Sequence, residues 1–231
     1  MEDAGRAQRG RTPLTRATLD PMRGPRVRPG SDRARGRAAA ADRGAYPGSF
    51  NPLTTAHLAI AAAARTAHRL AEVHLVVSRR PLGKDDVEVP LLQHRLEVLE
   101  HAVATRPWLR VVVTEAQLLT DIARGYGVVI MGADKWHQIH DPGFYDSIAA
   151  RDAAVAQLPT PAVAPRPPHE APAEHLLRLD DDIEGVSSTA ARAGDHSVMA
   201  PEAIAFDRRT GAWSDVDRYR SWVGSGSTAD G

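Results

Sequence analysis

The chain has 231 residues and not one cysteine. Disulfide frameworks and thiolate metal sites are therefore excluded, and a reducing, cytoplasmic setting is the expectation. No apolar run approaches the roughly 20 residues that cross a bilayer, so no membrane partner is expected. The N-terminus is arginine-rich without an apolar core segment, unlike a secretory signal. Three motifs are missing as well: G-x-S-x-G, the P-loop and G-x-G-x-x-G. Their absence argues against hydrolase, kinase and NAD-dependent dehydrogenase chemistry. Net charge is also lacking, at zero overall, but its distribution is uneven. Residues 1–44 hold 11 Arg against five acidic residues, and the remainder carries the compensating −6. A folded body of negative net charge is not a dedicated nucleic-acid binder, so any phosphate must be held by local cations.

Residues 1–42 are Arg, Ala, Gly and Pro with almost no apolar periodicity and read as a disordered tail. Residues 43–223 read as one domain, and 224–231 as a second flexible tail. Within the domain, strand and helix patterns alternate. Tyr46 to Phe50 closes a short first strand whose upstream residues, Ala41 to Gly44, are poor in apolar character. His57 to Leu70 is an alanine-rich helix, Val73 to Val77 a buried strand, and Leu91 to Ala104 a helix with Leu92, Leu96, Leu99 and Val103 at helical spacing. Leu109 to Val113 and Val128 to Met131 are strands; Ala153 to Leu158 and Leu176 to Leu179 are weaker strand candidates. This alternation predicts an α/β fold, a doubly wound parallel sheet with helices on both faces. Ligands of such sheets sit beyond the carboxyl ends of the strands, where strand order reverses.

Two runs carry the chemistry. The first is Gly48-Ser49-Phe50-Asn51-Pro52-Leu53-Thr54-Thr55-Ala56-His57, and the second is Val186-Ser187-Ser188-Thr189-Ala190-Ala191-Arg192. Each places hydroxyls, amides or a cation where a helix begins, and helix starts bind anions. Two such starts far apart in sequence suggest one phosphate-rich ligand held between them. Gly48 and Ser49 allow close backbone approach, and Pro52 favours a fixed turn before the helix. Thr54 and His57 share a face if the first turn has formed. Asp134, His137, His140 and Asp141 invite a metal reading, but no acidic support is visible, and no protein-held metal is expected. Trp136 reads equally as a stacking partner for a base or pyridine ring and as a structural aromatic.

Gly48-x-Phe50-x-Pro52 followed by Thr54-x-x-His57 resembles the first signature of the nucleotidylyltransferase superfamily. Val186-Ser187-Ser188-Thr189-x-x-Arg192 is similar to its second signature, in the form typical of nicotinate or nicotinamide mononucleotide adenylyltransferases. Lys84, the His94-Arg95 pair, Gly132-Ala133-Asp134 and the stretch from Pro161 to Pro167 resemble intermediate family features. Ala56 stands where the signature has glycine, and Thr54 where most nicotinate-nucleotide enzymes have histidine. The first run alone is closer to pantetheine-phosphate adenylyltransferases.

The resemblance implies a Rossmann-like nucleotidylyltransferase fold and in-line transfer of AMP from ATP to a phosphorylated acceptor, with nicotinic acid mononucleotide the expected one. It implies that His57 and Thr54 contact ATP phosphates and that Lys84 and Arg192 neutralise phosphate charge. Ser187, Ser188 and Thr189 donate to the leaving phosphates, and Gly48, Ser49, Phe50, Gly132 and Asp134 shape the nucleotide site, with Asp134 on a ribose hydroxyl. Trp136 and Arg95 are acceptor-side candidates, and Mg²⁺ travels on the ATP phosphates. A non-catalytic nucleotide-binding relative is the alternative.

Overall fold

A computed structural model describes residues 40–79, 89–180, 183 and 188–226. Five strands form one parallel sheet: β1 (Arg43–Pro47), β2 (Glu72–Ser78), β3 (Leu109–Thr114), β4 (Val128–Gly132) and β5 (Thr160–Ala164). Their order across the sheet is β3-β2-β1-β4-β5. The chain winds outward from β1 in one direction through β2 and β3, then returns to β1 and winds the other way. The reversal lies between β1 and β4, which places the ligand crevice of a doubly wound sheet at their carboxyl ends.

The helices are α1 (Thr55–His68), α2 (Leu92–Ala104), α3 (Leu119–Ile122), α4 (Ala133–His140), α5 (Ile148–Ala156), α6 (Ser188–Arg192), α7 (Pro201–Thr210) and α8 (Val216–Gly226). They cover both faces, as successive residues of β4 record. Val128 and Ile130 belong to the larger core with Leu53, Ile60, Leu75 and Leu99, whereas Val129 and Met131 join Ala133, Ile139 and Val163 on the other side. This is the two-residue alternation of a strand buried on both faces. No described helix is long and apolar enough to cross a membrane.

The weak first strand is central all the same. Gly44 supplies the reason: a Cβ there would lie 2.7 Å from the Leu70 side chain and 3.2 Å from that of Ile130. Small residues in β1 let the turn after α1 close onto the sheet, so the strand is buried by its neighbours' bulk rather than its own. The strand stops at Pro47, short of the expected Phe50. Phe50 instead turns out of the sheet with φ of 45°, its ring edge-on to Tyr46 at 5.6 Å. Gly48 makes that fold possible, because a Cβ there would meet the Phe50 ring at 2.9 Å.

Two strand expectations are corrected. Ala153 to Leu158 belongs mostly to α5, a helix capped by Ser147, whose hydroxyl accepts from Ala150 N–H. Its short apolar run fits either period. The strand beside β4 is β5, which tolerates Pro161 because it is the edge strand of the sheet. Leu176 to Leu179 makes a single parallel bridge, Val163 to Leu176, and goes no further. The described residues run a little past both ends of the expected domain. Asp42 O accepts from Ala71 N–H at 2.8 Å, and α8 runs through Gly226. The rest of the two expected tails lies outside the described residues.

Candidate active site

Local chemistry builds the site from β1 outward. The Gly48 N–H donates to Val76 O at 3.1 Å, extending the ladder by one residue before the chain leaves the sheet. From there the loop is held by its carbonyls. Ser49 O accepts from Arg95 Nη1 at 2.9 Å, Asn51 O from Arg192 Nη1 at 2.5 Å, Pro52 O from Ser188 Oγ at 2.8 Å, and Leu53 O from Ala200 N–H at 2.9 Å. Four acceptors are thus satisfied by three segments distant in sequence. Buried backbone polar groups need such partners, and here they also fix the shape of the loop.

The two runs therefore meet. Ser188 and Arg192 sit on the loop that opens the first run, and Arg192 Nη2 also reaches Thr189 Oγ1 at 3.3 Å. Val186 and Ser187 lie outside the described residues, as does Lys84.

Helix α1 starts with a reciprocal cap. Thr54 is the N-cap; its hydroxyl accepts from His57 N–H at 3.3 Å, and its own N–H donates to His57 Nδ1 at 3.0 Å. Histidine here takes the place usually held by Glu or Gln in a capping box. Thr54 has no exposed surface, and its side chain is engaged with the start of its own helix. The His57 ring packs on Phe50 with centroids 5.1 Å apart and on Tyr46 at 6.1 Å. Burial first, and then the Arg166 guanidinium, lower the imidazole from its ordinary 6.5 to about 4. His57 is thus neutral at physiological pH. Burial likewise pushes the Tyr46 phenol up, with Arg166 opposing. Ala56 is 3% exposed, so the methyl that replaces the signature glycine points into the protein.

Beyond β4, Gly132 leads into α4. A Cβ on Gly132 would run into the Asp134 carboxylate, so the glycine is what lets Asp134 fold back over the strand end. Asp134 faces Arg166 Nε at 3.7 Å. That nitrogen is buried without a hydrogen-bond partner, while the side chain as a whole is 36% exposed. Arg166 lies two residues past the end of β5 and acts electrostatically on His57, so it is a cation the sequence reading gave no role. Its signal was available: a basic residue just beyond a parallel strand.

Trp136 stands between His140 and His175, with ring centroids at 4.2 and 5.2 Å. His140 donates from Nδ1 to Trp136 O at 2.7 Å, and His137 faces His169 instead, at 5.3 Å. The residues of the metal reading therefore turn to different neighbours. Among the described residues no group of three or more His, Asp or Glu side chains is placed to hold a metal ion. Arg95 is 9% exposed and bonded to Ser49 O, so it supports the loop.

Asn51 was also missed. It is 4% exposed, its Oδ1 accepts from Trp213 Nε1 at 2.7 Å, and its Nδ2 donates to Val89 O at 3.4 Å. An amide side chain inside the first run was its hint in the sequence, and its partner Trp213 lies in a segment with no recognisable pattern.

Residues 45–194 match the model of the cytidylyltransferase-like family. A curated relative, the probable nicotinate-nucleotide adenylyltransferase of Salinibacter ruber, is 36% identical over 74 residues, 32% of this chain. The match spans only 38% of that relative's length. Two structures of the Plasmodium falciparum nicotinic acid mononucleotide adenylyltransferase, complexed with NaAD and with APC, share the fold. They superpose with a TM-score of 0.52 at 13% and 14% identity, over 72% of this chain and 94% of theirs.

Proposed function

The chain belongs to the cytidylyltransferase-like family, and we propose that it transfers AMP from ATP to the phosphate of a pyridine mononucleotide, nicotinic acid mononucleotide in particular, releasing pyrophosphate in a step of NAD biosynthesis. The observation that carries this reading is the junction of the two signature runs, with Ser188 on Pro52 O and Arg192 on Asn51 O. The match to the Salinibacter relative and the fold shared with the Plasmodium enzyme support the choice of acceptor.

In the proposed reaction an acceptor phosphate oxygen attacks the α-phosphorus of ATP. The bond from that phosphorus to the β-bridging oxygen breaks, and the electron pair leaves with pyrophosphate. No covalent enzyme intermediate is required, so the protein contributes positioning and charge stabilisation. His57 offers a neutral N–H donor that costs no reorganisation as charge shifts. Arg166 and Arg192 supply fixed positive charge, joined by Lys84. Ser187, Ser188 and Thr189 serve the leaving phosphates, Asp134 a ribose hydroxyl, and Trp136 the pyridine ring. Mg²⁺ enters with ATP as part of the substrate; among the described residues the Asp134 carboxylate at the site already faces Arg166.

The test is pyrophosphate release by the purified full chain, with ATP or CTP against nicotinic acid mononucleotide, nicotinamide mononucleotide and phosphopantetheine. ATP with nicotinic acid mononucleotide should be fastest. Preference for CTP or for phosphopantetheine would overturn the substrate assignment. Nucleotide binding without turnover on any acceptor would replace it with the non-catalytic alternative.

A further inference from the structure

Helix α2 begins without a cap of its own. Its N-cap residue is Leu91, and no side chain of the helix start bonds to the turn. The free N–H groups of a helix start need partners, and one arrives from far along the chain. Leu91 N–H donates to the Tyr219 phenol oxygen at 2.9 Å. The same oxygen lies 2.6 Å from His94 Nδ1. Tyr219 is 2% exposed, so its own proton needs an acceptor. Leu91 N–H can only donate, so the phenol O–H donates to His94 Nδ1. Burial favours the unprotonated imidazole by lowering its pKa from the ordinary 6.5, with Glu97 opposing and Arg209 assisting.

His94 is the third residue of α2, the position from which a capping-box side chain reaches back to the N-cap N–H. In α1, His57 does this directly. In α2 the Tyr219 hydroxyl stands between the two groups. Rings share the seat: His94 meets Tyr219 edge-on at 5.7 Å and Trp222 at 5.0 Å, both from α8. The residue after His94 is Arg95, whose Nη1 holds Ser49 O at 2.9 Å. Just before Leu91, Val89 O accepts from Asn51 Nδ2 at 3.4 Å. The capped turn is thus tied on both sides to the loop that opens the site. Helix α8 lies wholly beyond residues 45–194, the part that matches the family. We propose that Tyr219 is a positioning residue: from α8 it completes the cap of α2 and so holds Arg95 and the Ser49–Leu53 turn in the shape that binds ATP. The role of the turn rests on the function proposed above, but the cap does not.

The experiment compares the full chain with Tyr219→Phe, which keeps the ring and removes the hydroxyl. Amide hydrogen exchange should be about tenfold faster at Leu91, His94 and Arg95, the scale of one lost hydrogen bond. With ATP and nicotinic acid mononucleotide, KM for ATP should rise by about tenfold while kcat holds. A simple loss of folded molecules would do the opposite, lowering apparent kcat at constant KM. Adding His94→Gln to Tyr219→Phe should restore both readouts, because glutamine at this position reaches the N-cap N–H by itself. Wild-type exchange at Leu91 in Tyr219→Phe would overturn the cap. Faster exchange with unchanged KM, or a fall in kcat alone, would overturn the positioning role. Should Tyr219→Phe fail to fold, His94→Leu leaves the phenol proton without its acceptor and is read in the same way. Absence of turnover in the wild type would count against the function alone. Exchange rates read the cap without it, and titration calorimetry with ATP then takes the place of KM.

Discussion

Trp213 donates its indole N–H to Asn51 Oδ1 at 2.7 Å, and both residues are buried, at 8% and 4% exposure. The contact ties the chain just after α7 to the loop that opens the candidate site. Trp213→Phe keeps most of the apolar volume but leaves a buried carbonyl oxygen unpaired. Such a group costs about 1–3 kcal/mol. Urea denaturation should show that loss, together with weaker ATP binding as the loop relaxes. An unchanged midpoint would mean that water replaces the indole without penalty.

His57→Ala removes the neutral donor without opening the core. Loss of one preorganised donor to developing charge typically costs on the order of a hundredfold in turnover. Steady-state kinetics should show that fall in kcat while the Kd for ATP stays close to the wild-type value. Equal turnover in variant and wild type would remove His57 from the chemistry and leave it as a cap.

The same histidine makes stability depend on pH. Its folded value, about 4, lies below the ordinary 6.5, so between these values the unfolded chain binds more protons than the folded one. Stability from this group is complete above pH 6.5 and is lost as pH falls toward 4. The ring is half-buried rather than enclosed, so the contribution is about 2 kcal/mol or less. Wild type should lose more stability than His57→Gln between pH 7 and pH 5. Parallel losses in the two proteins would contradict the neutral, desolvated ring.

Arg192 uses two nitrogens, one on Asn51 O and one on Thr189 Oγ1. Lysine would keep the charge but lose the planar fork. Arg192→Lys should weaken ATP binding by roughly tenfold, the lower end for a hydrogen bond made by a charged group. If titration calorimetry finds wild-type affinity, charge rather than geometry is what Arg192 provides.

Much of the architecture was legible because its signals are local. The apolar runs at Val73 to Val77 and Val128 to Met131 are strands, and the two runs that resemble family signatures come together at the strand ends. What escaped depends on neighbours. The centrality of β1 comes from Leu70 and Ile130 closing over Gly44. The Ala153 to Leu158 run is too short for its period to separate helix from strand. A hydroxyl such as that of Thr54 reads the same in sequence whether it faces a ligand or its own helix, and only its burial tells them apart. Trp213 lies where no motif marked it, and Arg166 stood in a quoted stretch without being given a role. Lys84 and Ser187 lie outside the described residues.

Four of the five carbonyls of the Ser49–Leu53 turn are taken up by donors from α2, α6 and the segment before α7. During synthesis this sets an order of events. A nascent chain that has emerged only as far as β5 possesses every strand of the sheet, yet three of those four donors, from Ser188, Arg192 and Ala200, have not been made. Nucleotide affinity should therefore arrive late and in one step, as the last quarter of the chain docks. A growing polypeptide would then hold no half-built site that could trap ATP before it could use it.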